Sequence, residues 1–205
     1  VALRRDRDPE EYRRVITLAI SQAERLRDII EMLLFLARAD AEARLPGLQP
    51  LDIAAWLPAY INEAWAEHPR FGDLRVEVPT EVSMTVHAHS ALLGQAVGNL
   101  IDNATKYSGA GSPILVRVEG GADVVTIVVE DSGRGLSQDD RSRVFEPFYR
   151  PAGRGEAAGG WGLGLALVRQ IALHHGATVR IEAPEGGGAR FVVAFDVLAA
   201  SPKAT

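Results

Sequence analysis

The pattern of polar and apolar positions changes period near residue 45. Before that point, apolar or small residues recur in alternating steps of four and three, at Tyr12, Ile16, Ala19, Ala23, Leu26, Ile30, Leu33 and Ala37. This is the seam of a coiled coil or helical bundle, and it predicts one helix over about 8–41. Asp8 stands ready to cap it, Pro9 takes its first position and Glu11 the capping-box site. At 1.5 Å per residue the helix is roughly 50 Å long. It cannot bury its stripe alone, and no second long amphipathic helix follows, so its partner is expected from another chain or from a segment outside these residues.

Pro46, Gly47 and Pro50 then mark a linker. Asp52 opens a helix with Ile53, Trp56, Leu57, Tyr60, Ile61, Ala64 and Trp65 on one face and Pro58 as an expected kink. Alternation predicts strands at 74–78, 82–87, 114–118, 124–129, 178–182 and 190–195, and longer periods predict helices at 90–107 and 163–175. Hairpin-like turns join most of the strands. The expected fold is therefore α+β, a two-layer sandwich preceded by a long coiled-coil-like helix, with a boundary that separates residues 1–44 from 45–200.

Composition narrows the class. The chain has 205 residues, 47% hydrophobic and 24% charged, with net charge -5, which is the balance of a folded globular chain. Without cysteine there can be no disulfide scaffold, thiolate zinc site, iron–sulfur cluster or cysteine nucleophile. The apolar stretch 29–37 is broken by Glu31 and is too short for a bilayer. Mild acidity argues against nucleic acid as a partner. The early arginines are interleaved with Asp6, Asp8, Glu10 and Glu11, as on a solvated helix end.

Three signals carry chemistry. On the helix at 90–107, Leu93, Ala96, Val97, Leu100, Ile101 and Ala104 form a buried stripe, while Gln95, Asn99, Asn103 and Lys106 share the other side. Asparagine is a mediocre helix former, so the pair is either a solvated face or a set of amides converging on phosphates and a hard cation. Second, Asp131-Ser-Gly-Arg-Gly135 follows an apolar strand, where a carboxylate can accept from an exocyclic amine; a plain tight turn uses the same residues. Third, Gly159-Gly-Trp-Gly-Leu-Gly-Leu165 leads into a helix and exposes amides at its positive end, an anion site. Between the last two lies Phe145-Glu-Pro-Phe-Tyr-Arg150 and then a glycine-bearing stretch, 151–158, that reads as a lid or as an ordinary surface loop.

Taken together these motifs resemble the catalytic ATP-binding domain of sensor histidine kinases, in the ATPase class that includes DNA gyrase. Asn99-Leu-Ile-Asp-Asn103-Ala-Thr-Lys106-Tyr107 resembles that family's N box, 131–135 its G1 box, 145–148 its F box, 160–164 its G2 box and Gly186-Gly-Gly-Ala-Arg-Phe191 its last glycine motif. The similarity covers about 48–197 in the correct order. Residues 8–41 resemble the second helix of the family's dimerisation and histidine-phosphotransfer hairpin.

The resemblance implies ATP and Mg²⁺ as ligands. Asn103 would bind Mg²⁺ bridging the phosphates, with Asn99 as a second ligand; Lys106 would meet phosphate and Tyr107 would pack by the nucleoside. Asp131 would take the adenine amino group, with Gly133 and Gly135 shaping the pocket. Gly160, Gly162 and Gly164, with Leu163 and Leu165, would form the lid hinge and phosphate cradle, Phe148 would flank it, and Arg150 or Arg154 would reach phosphate. Related ATPases place a glutamate at position 99 to activate water; an amide cannot act as that base, which favours phosphoryl transfer over hydrolysis.

Three departures qualify the resemblance. Trp161 replaces a small or hydroxyl residue, Ala189 replaces a threonine near adenine, and ATP affinity is expected to be lower for it. The family's acceptor histidine motif is missing, since the first histidine is His68. The sequence thus reads as a second hairpin helix plus catalytic domain, unable to phosphorylate itself. Expected partners are an acceptor-histidine hairpin, a response regulator and a second copy through 8–41. The expected location is cytoplasmic, without direct membrane contact in these residues, although a parent protein could be anchored in the inner membrane. The competing readings are a degenerate kinase that binds nucleotide without catalysis and an anti-sigma type serine kinase, against which the helix at 8–41 argues.

Overall fold

A computed structural model describes residues 8–41, 47–79, 84–121, 123–151 and 161–197. In chain order its elements are α1 (Pro9–Ala41), β1 (Gln49–Asp52), α2 (Ile53–Trp65), a 3-10 turn (Phe71–Asp73), β2 (Leu74–Glu77), β3 (Thr85–Ala88) and α3 (Ser90–Tyr107). There follow β4 (Ile114–Gly120), β5 (Val124–Asp131), α4 (Gln138–Arg143), α5 (Gly164–His174), β6 (Thr178–Glu182) and β7 (Ala189–Asp196). Among the described residues no helix is long and apolar enough to cross a membrane.

The sandwich has the expected two layers. One is a five-stranded sheet ordered β2-β4-β5-β7-β6, and the other is formed by α2, α3 and α5. Strand alternation decides which side chains meet between the layers. Val125, Ile127 and Val129 of β5 and Phe191, Val193 and Phe195 of β7 face inward, against Leu93, Leu100, Ile101, Val168 and Ile171 of the helices. The outer face carries Val128 opposite Val192, both buried, beside the charged pairs Glu130–Arg190 (2.6 Å) and Glu182–Arg180 (2.9 Å). Those partly exposed pairs add little stability each.

Pairing departs from the hairpin reading in one region. β4–β5 and β6–β7 are sequential antiparallel hairpins, as expected. β2, however, lies parallel to β4, and β3 pairs antiparallel with β1 in a separate two-stranded sheet. The strand expected at 82–87 is observed at Thr85–Ala88; Met84 precedes it outside the strand, and residues 82 and 83 lie outside those described. Asp52 caps α2, accepting from Ala54 N at 3.1 Å and Ala55 N at 3.4 Å. Asp8 precedes α1 and accepts from Glu10 N at 3.3 Å.

The helices approach closely where glycine allows it. Tyr60 of α2 donates its hydroxyl to Gly94 O of α3 at 2.6 Å, and its ring occupies the space a Cβ on Gly94 would need. α1 leaves Ile16, Leu26 and Ile30 more than half exposed, while Ile29 packs against the sandwich core.

Candidate functional site

α3 supplies one wall of the site because it has two faces. Leu93, Ala96, Val97, Leu100, Ile101 and Ala104 are buried, as the stripe predicts. On the other side Asn99, Asp102, Asn103 and Lys106 line a cleft. Asn99 Nδ2 donates to Gln95 O at 3.0 Å, which fixes the amide and turns Oδ1 toward Gly164. Gln95 lies one turn back and does not line the cleft with the other three, although the spacing put it on their side.

The opposite wall comes from the loop after α4 and from the start of α5. Tyr149, Arg150, Pro151, Trp161, Gly162, Gly164 and Leu165 complete this part, which encloses about 640 Å³ partly open to solvent. Gly162 has φ +73°, and a Cβ there would lie 2.5 Å from Tyr149 O, so glycine is required where the two loop segments cross. Phe148 donates its backbone N–H to Gly162 O at 3.0 Å. Phe148 itself adopts φ 65° and is 66% exposed; it borders the crossing and does not line the cleft. Tyr149 donates to Asp140 Oδ1 at 2.8 Å, and that carboxylate raises its phenol above the ordinary value.

A second lobe of about 320 Å³ continues from the first through Asn103, Tyr107 and Leu165, which line both. Its far side is Asp131, Gly135, Leu136, Ala189 and Phe191. Asp131 ends β5 in the inward phase of the strand, directly opposite Ala189 of β7, and it is 5% exposed. Its Oδ1 accepts from Gly133 N at 2.7 Å. Gly133 thus shapes the turn without lining the lobe. Gly135, at φ 68°, passes so close to Gly188 O that a Cβ would lie 2.5 Å from it. The last glycine motif therefore packs against the Asp131 turn.

The cleft therefore joins an end rich in amides and cations to an end carrying one buried carboxylate. At the first end lies the N-terminus of α5, where Leu163 makes no side-chain cap and Gly164 and Leu165 line the cleft at the positive end of the helix dipole. Leu163 is buried in the core and Leu165 faces both lobes. Gly160 and Arg154 lie outside the described residues. Sequence reasoning did not anticipate Asp102, Val144, Tyr149, Pro151, Leu136 or Phe191 in the walls. Asp102 carried the clearest signal, one position before Asn103.

Residues 88–199, just over half of the chain, match the family described as histidine kinase-, DNA gyrase B-, and HSP90-like ATPase. The sensor protein IrlS of Burkholderia pseudomallei is 39% identical over 184 residues, covering 89% of this chain and 39% of its own length. The chain thus spans well under half of that relative. Among solved structures, the mycobacterial sensor histidine kinase MprB superposes with TM-score 0.60 at 29% identity, over 74% of this chain and 98% of that one. Full-length ShkA in complex with AMPPNP superposes with TM-score 0.71 at 27% identity, over 94% of this chain and 40% of that one. The family profile, these similarities and the two-lobed cleft agree: the chain belongs to the histidine kinase-, DNA gyrase B- and HSP90-like ATPase family and carries the catalytic ATP-binding domain of the sensor histidine kinases.

Proposed function

We propose that the cleft holds Mg-ATP and that the γ-phosphoryl group passes to a histidine outside these 205 residues, in two-component signalling. The observation that carries this reading is the continuity of the two lobes through Asn103, Tyr107 and Leu165. Adenine occupies the Asp131 lobe, with its amino group on the carboxylate and its edges against Gly135, Leu136 and Ala189. The phosphates extend past Tyr107 toward Lys106, Arg150 and the uncapped amides of α5.

The donor set on α3 suits a hard cation. Asn99 and Asn103 offer neutral amide oxygens, and Mg²⁺ takes oxygen ligands and shares them with substrate phosphates. A Mg²⁺ ion there would supply neutralisation of the charge that develops on the transferring group. Lys106 adds positive charge, Trp161 screens the lobe from water, and Asn99 cannot take a proton from water as a carboxylate could. The chain thus orients ATP for attack by an imidazole nitrogen, with ADP as the leaving group.

None of the chain's own histidines suits the acceptor role. His89 caps α3, His175 accepts from His89 N at 3.0 Å, and His68 Nδ1 accepts from Arg70 N at 3.1 Å. His174 sits against Gln170 O, and His87 lies on a strand without an acidic neighbour in sequence. The acceptor hairpin pairs with residues 8–41, which also carry a homodimer contact, and a response regulator takes the phosphoryl group next. The need for ATP sets the location as cytoplasmic. Incubation with γ-labelled ATP and a separately supplied acceptor hairpin tests the reading. Acid-labile, base-stable label on the hairpin, lost in Asn103→Ala, is expected; nucleotide binding without transfer to any hairpin would refute the kinase assignment.

A further inference from the structure

Arg70 lies outside the cleft, in the segment between α2 and β2, yet its guanidinium is spent almost wholly on the far end of α3. Nε donates to Asp73 Oδ2 at 2.7 Å. One terminal nitrogen donates to Thr105 O at 2.5 Å and Ser108 O at 3.0 Å. The other donates to Ser108 Oγ at 3.2 Å, Gly109 O at 2.7 Å and Ser112 O at 3.3 Å. Asp73 Oδ2 also accepts from Gly111 N at 3.1 Å. Arg70 and Asp73 are only 14% and 18% exposed.

Physical chemistry makes this contact more than a surface ion pair. The last carbonyls of a helix have no partner within the helix, and a cation there also opposes the negative end of the dipole. Helix ends fray unless tied down. The turn that Arg70 holds carries Lys106 and Tyr107, both lining the cleft, and Tyr107 O abuts Gly133 of the adenine-side turn. Arg70 on one side and the Asp131–Gly133 turn on the other therefore clamp the same few residues.

We propose that Arg70 is a positioning residue for nucleotide binding, which sets Lys106 and Tyr107 by capping the C-terminus of α3. The proposal rests on the ATP reading above. A lysine keeps the charge but has three donors on one nitrogen in place of the planar fork, so it rescues only in part.

The test compares Arg70→Ala, Arg70→Lys and, as a control for general destabilisation, Val192→Ala on the outer sheet face. Calorimetry with Mg-AMPPNP is run at a temperature where circular dichroism shows each variant folded, and hydrogen exchange is followed at Lys106 and Tyr107. In Arg70→Ala the released turn samples its binding arrangement about a tenth of the time, so Kd rises about tenfold. Exchange at both amides quickens, Arg70→Lys falls between, and Val192→Ala binds as the unmodified chain does. Binding by Arg70→Ala equal to the unmodified chain overturns the proposal, as does an equal loss in Val192→Ala. If Arg70→Ala does not fold, undiminished binding by Arg70→Lys overturns it. An unmodified chain that binds no nucleotide overturns the ATP reading and this proposal with it, an outcome distinct from the others.

Discussion

Replacing Asp131 separates the two jobs its carboxylate has in the structure. Oδ1 accepts from Gly133 N at 2.7 Å and so shapes the turn, and the carboxylate as a whole forms one end of the inner lobe. Asp131→Ala removes both functions. A hydrogen bond to a charged acceptor contributes about 1.5–3 kcal/mol, so ATP affinity should fall about 10- to 150-fold. Some stability goes with it, because Gly133 N loses its acceptor. Asp131→Asn is the sharper probe. Its amide oxygen can keep the Gly133 contact, which leaves an NH₂ donor facing the adenine amino group, itself a donor. This variant should unfold at nearly the unmodified temperature yet bind ATP as poorly as the alanine variant. It should also gain relative affinity for inosine triphosphate, whose ring carbonyl accepts where adenine donates. Calorimetry with both nucleotides and thermal unfolding by circular dichroism give all the needed quantities. Asp131→Asn with unchanged ATP affinity and an unchanged ratio of the two nucleotides would remove Asp131 from adenine recognition.

Four further outcomes are expected. His175 donates from Nδ1 to Ile171 O (2.7 Å) and accepts from His89 N, an arrangement only the neutral ring can satisfy. Burial, with His89 and His174 nearby, holds its pKa below the ordinary histidine value. The unfolded chain takes that proton first, so stability is full above about pH 6.5 and falls as pH drops toward the lower folded value; urea unfolding at two pH values should show this, with a shallower slope in His175→Gln. In Gly164→Ala the new Cβ would lie 2.9 Å from Asn99 Oδ1, so nucleotide binding should weaken in calorimetry while stability holds or rises by up to about 1 kcal/mol. Leu100→Ala, at a fully buried site, should cost about 2–5 kcal/mol in denaturant unfolding, and a loss under about 1 kcal/mol would contradict its burial. Chelating Mg²⁺ should weaken ATP binding but leave adenosine binding unchanged; equal effects on the two would argue against an ion bridging Asn99, Asn103 and phosphate.

What could be read before the structure is what periodicity encodes. α3 was legible on both faces because burial and chemistry repeat at helical spacing along one element. Asp131 was legible from the Asp-Ser-Gly-Arg-Gly motif that follows an apolar strand, but not its inward phase, because the strand runs two residues past its expected end at Val129. β1 was missed because Gln-Pro-Leu-Asp has no alternation, and its strand partner among the described residues is the distant Thr85–Ala88. The parallel pairing of β2 with β4 was hidden because β2 and β3, neighbours in sequence, look like the arms of a hairpin. α4 buries none of its residues and so leaves no apolar period; its one local signal is Ser137, whose hydroxyl accepts from Asp140 N at 3.1 Å. Arg70 could not have been found at all. Five of its six acceptors belong to residues 105–112, four of them backbone carbonyls, and no sequence pattern reports a carbonyl's need for a donor.

Because α3 carries its oily stripe and its cleft-lining amides on one cylinder, the length of this helix is not free to drift. Each residue advances the helix by about 100°. One residue inserted between Asn99 and Asn103 would swing the second amide about a quarter-turn out of the cleft, or else drag Leu100 and Ile101 out of the core. Insertions and deletions should therefore be purged from this stretch more strictly than most single substitutions. The turn between β4 and β5 lines no part of the cleft, and the limits on its length are local: Gly121 donates its N–H to Val124 O at 2.9 Å, and Asp123 O accepts from Val197 N at 2.9 Å.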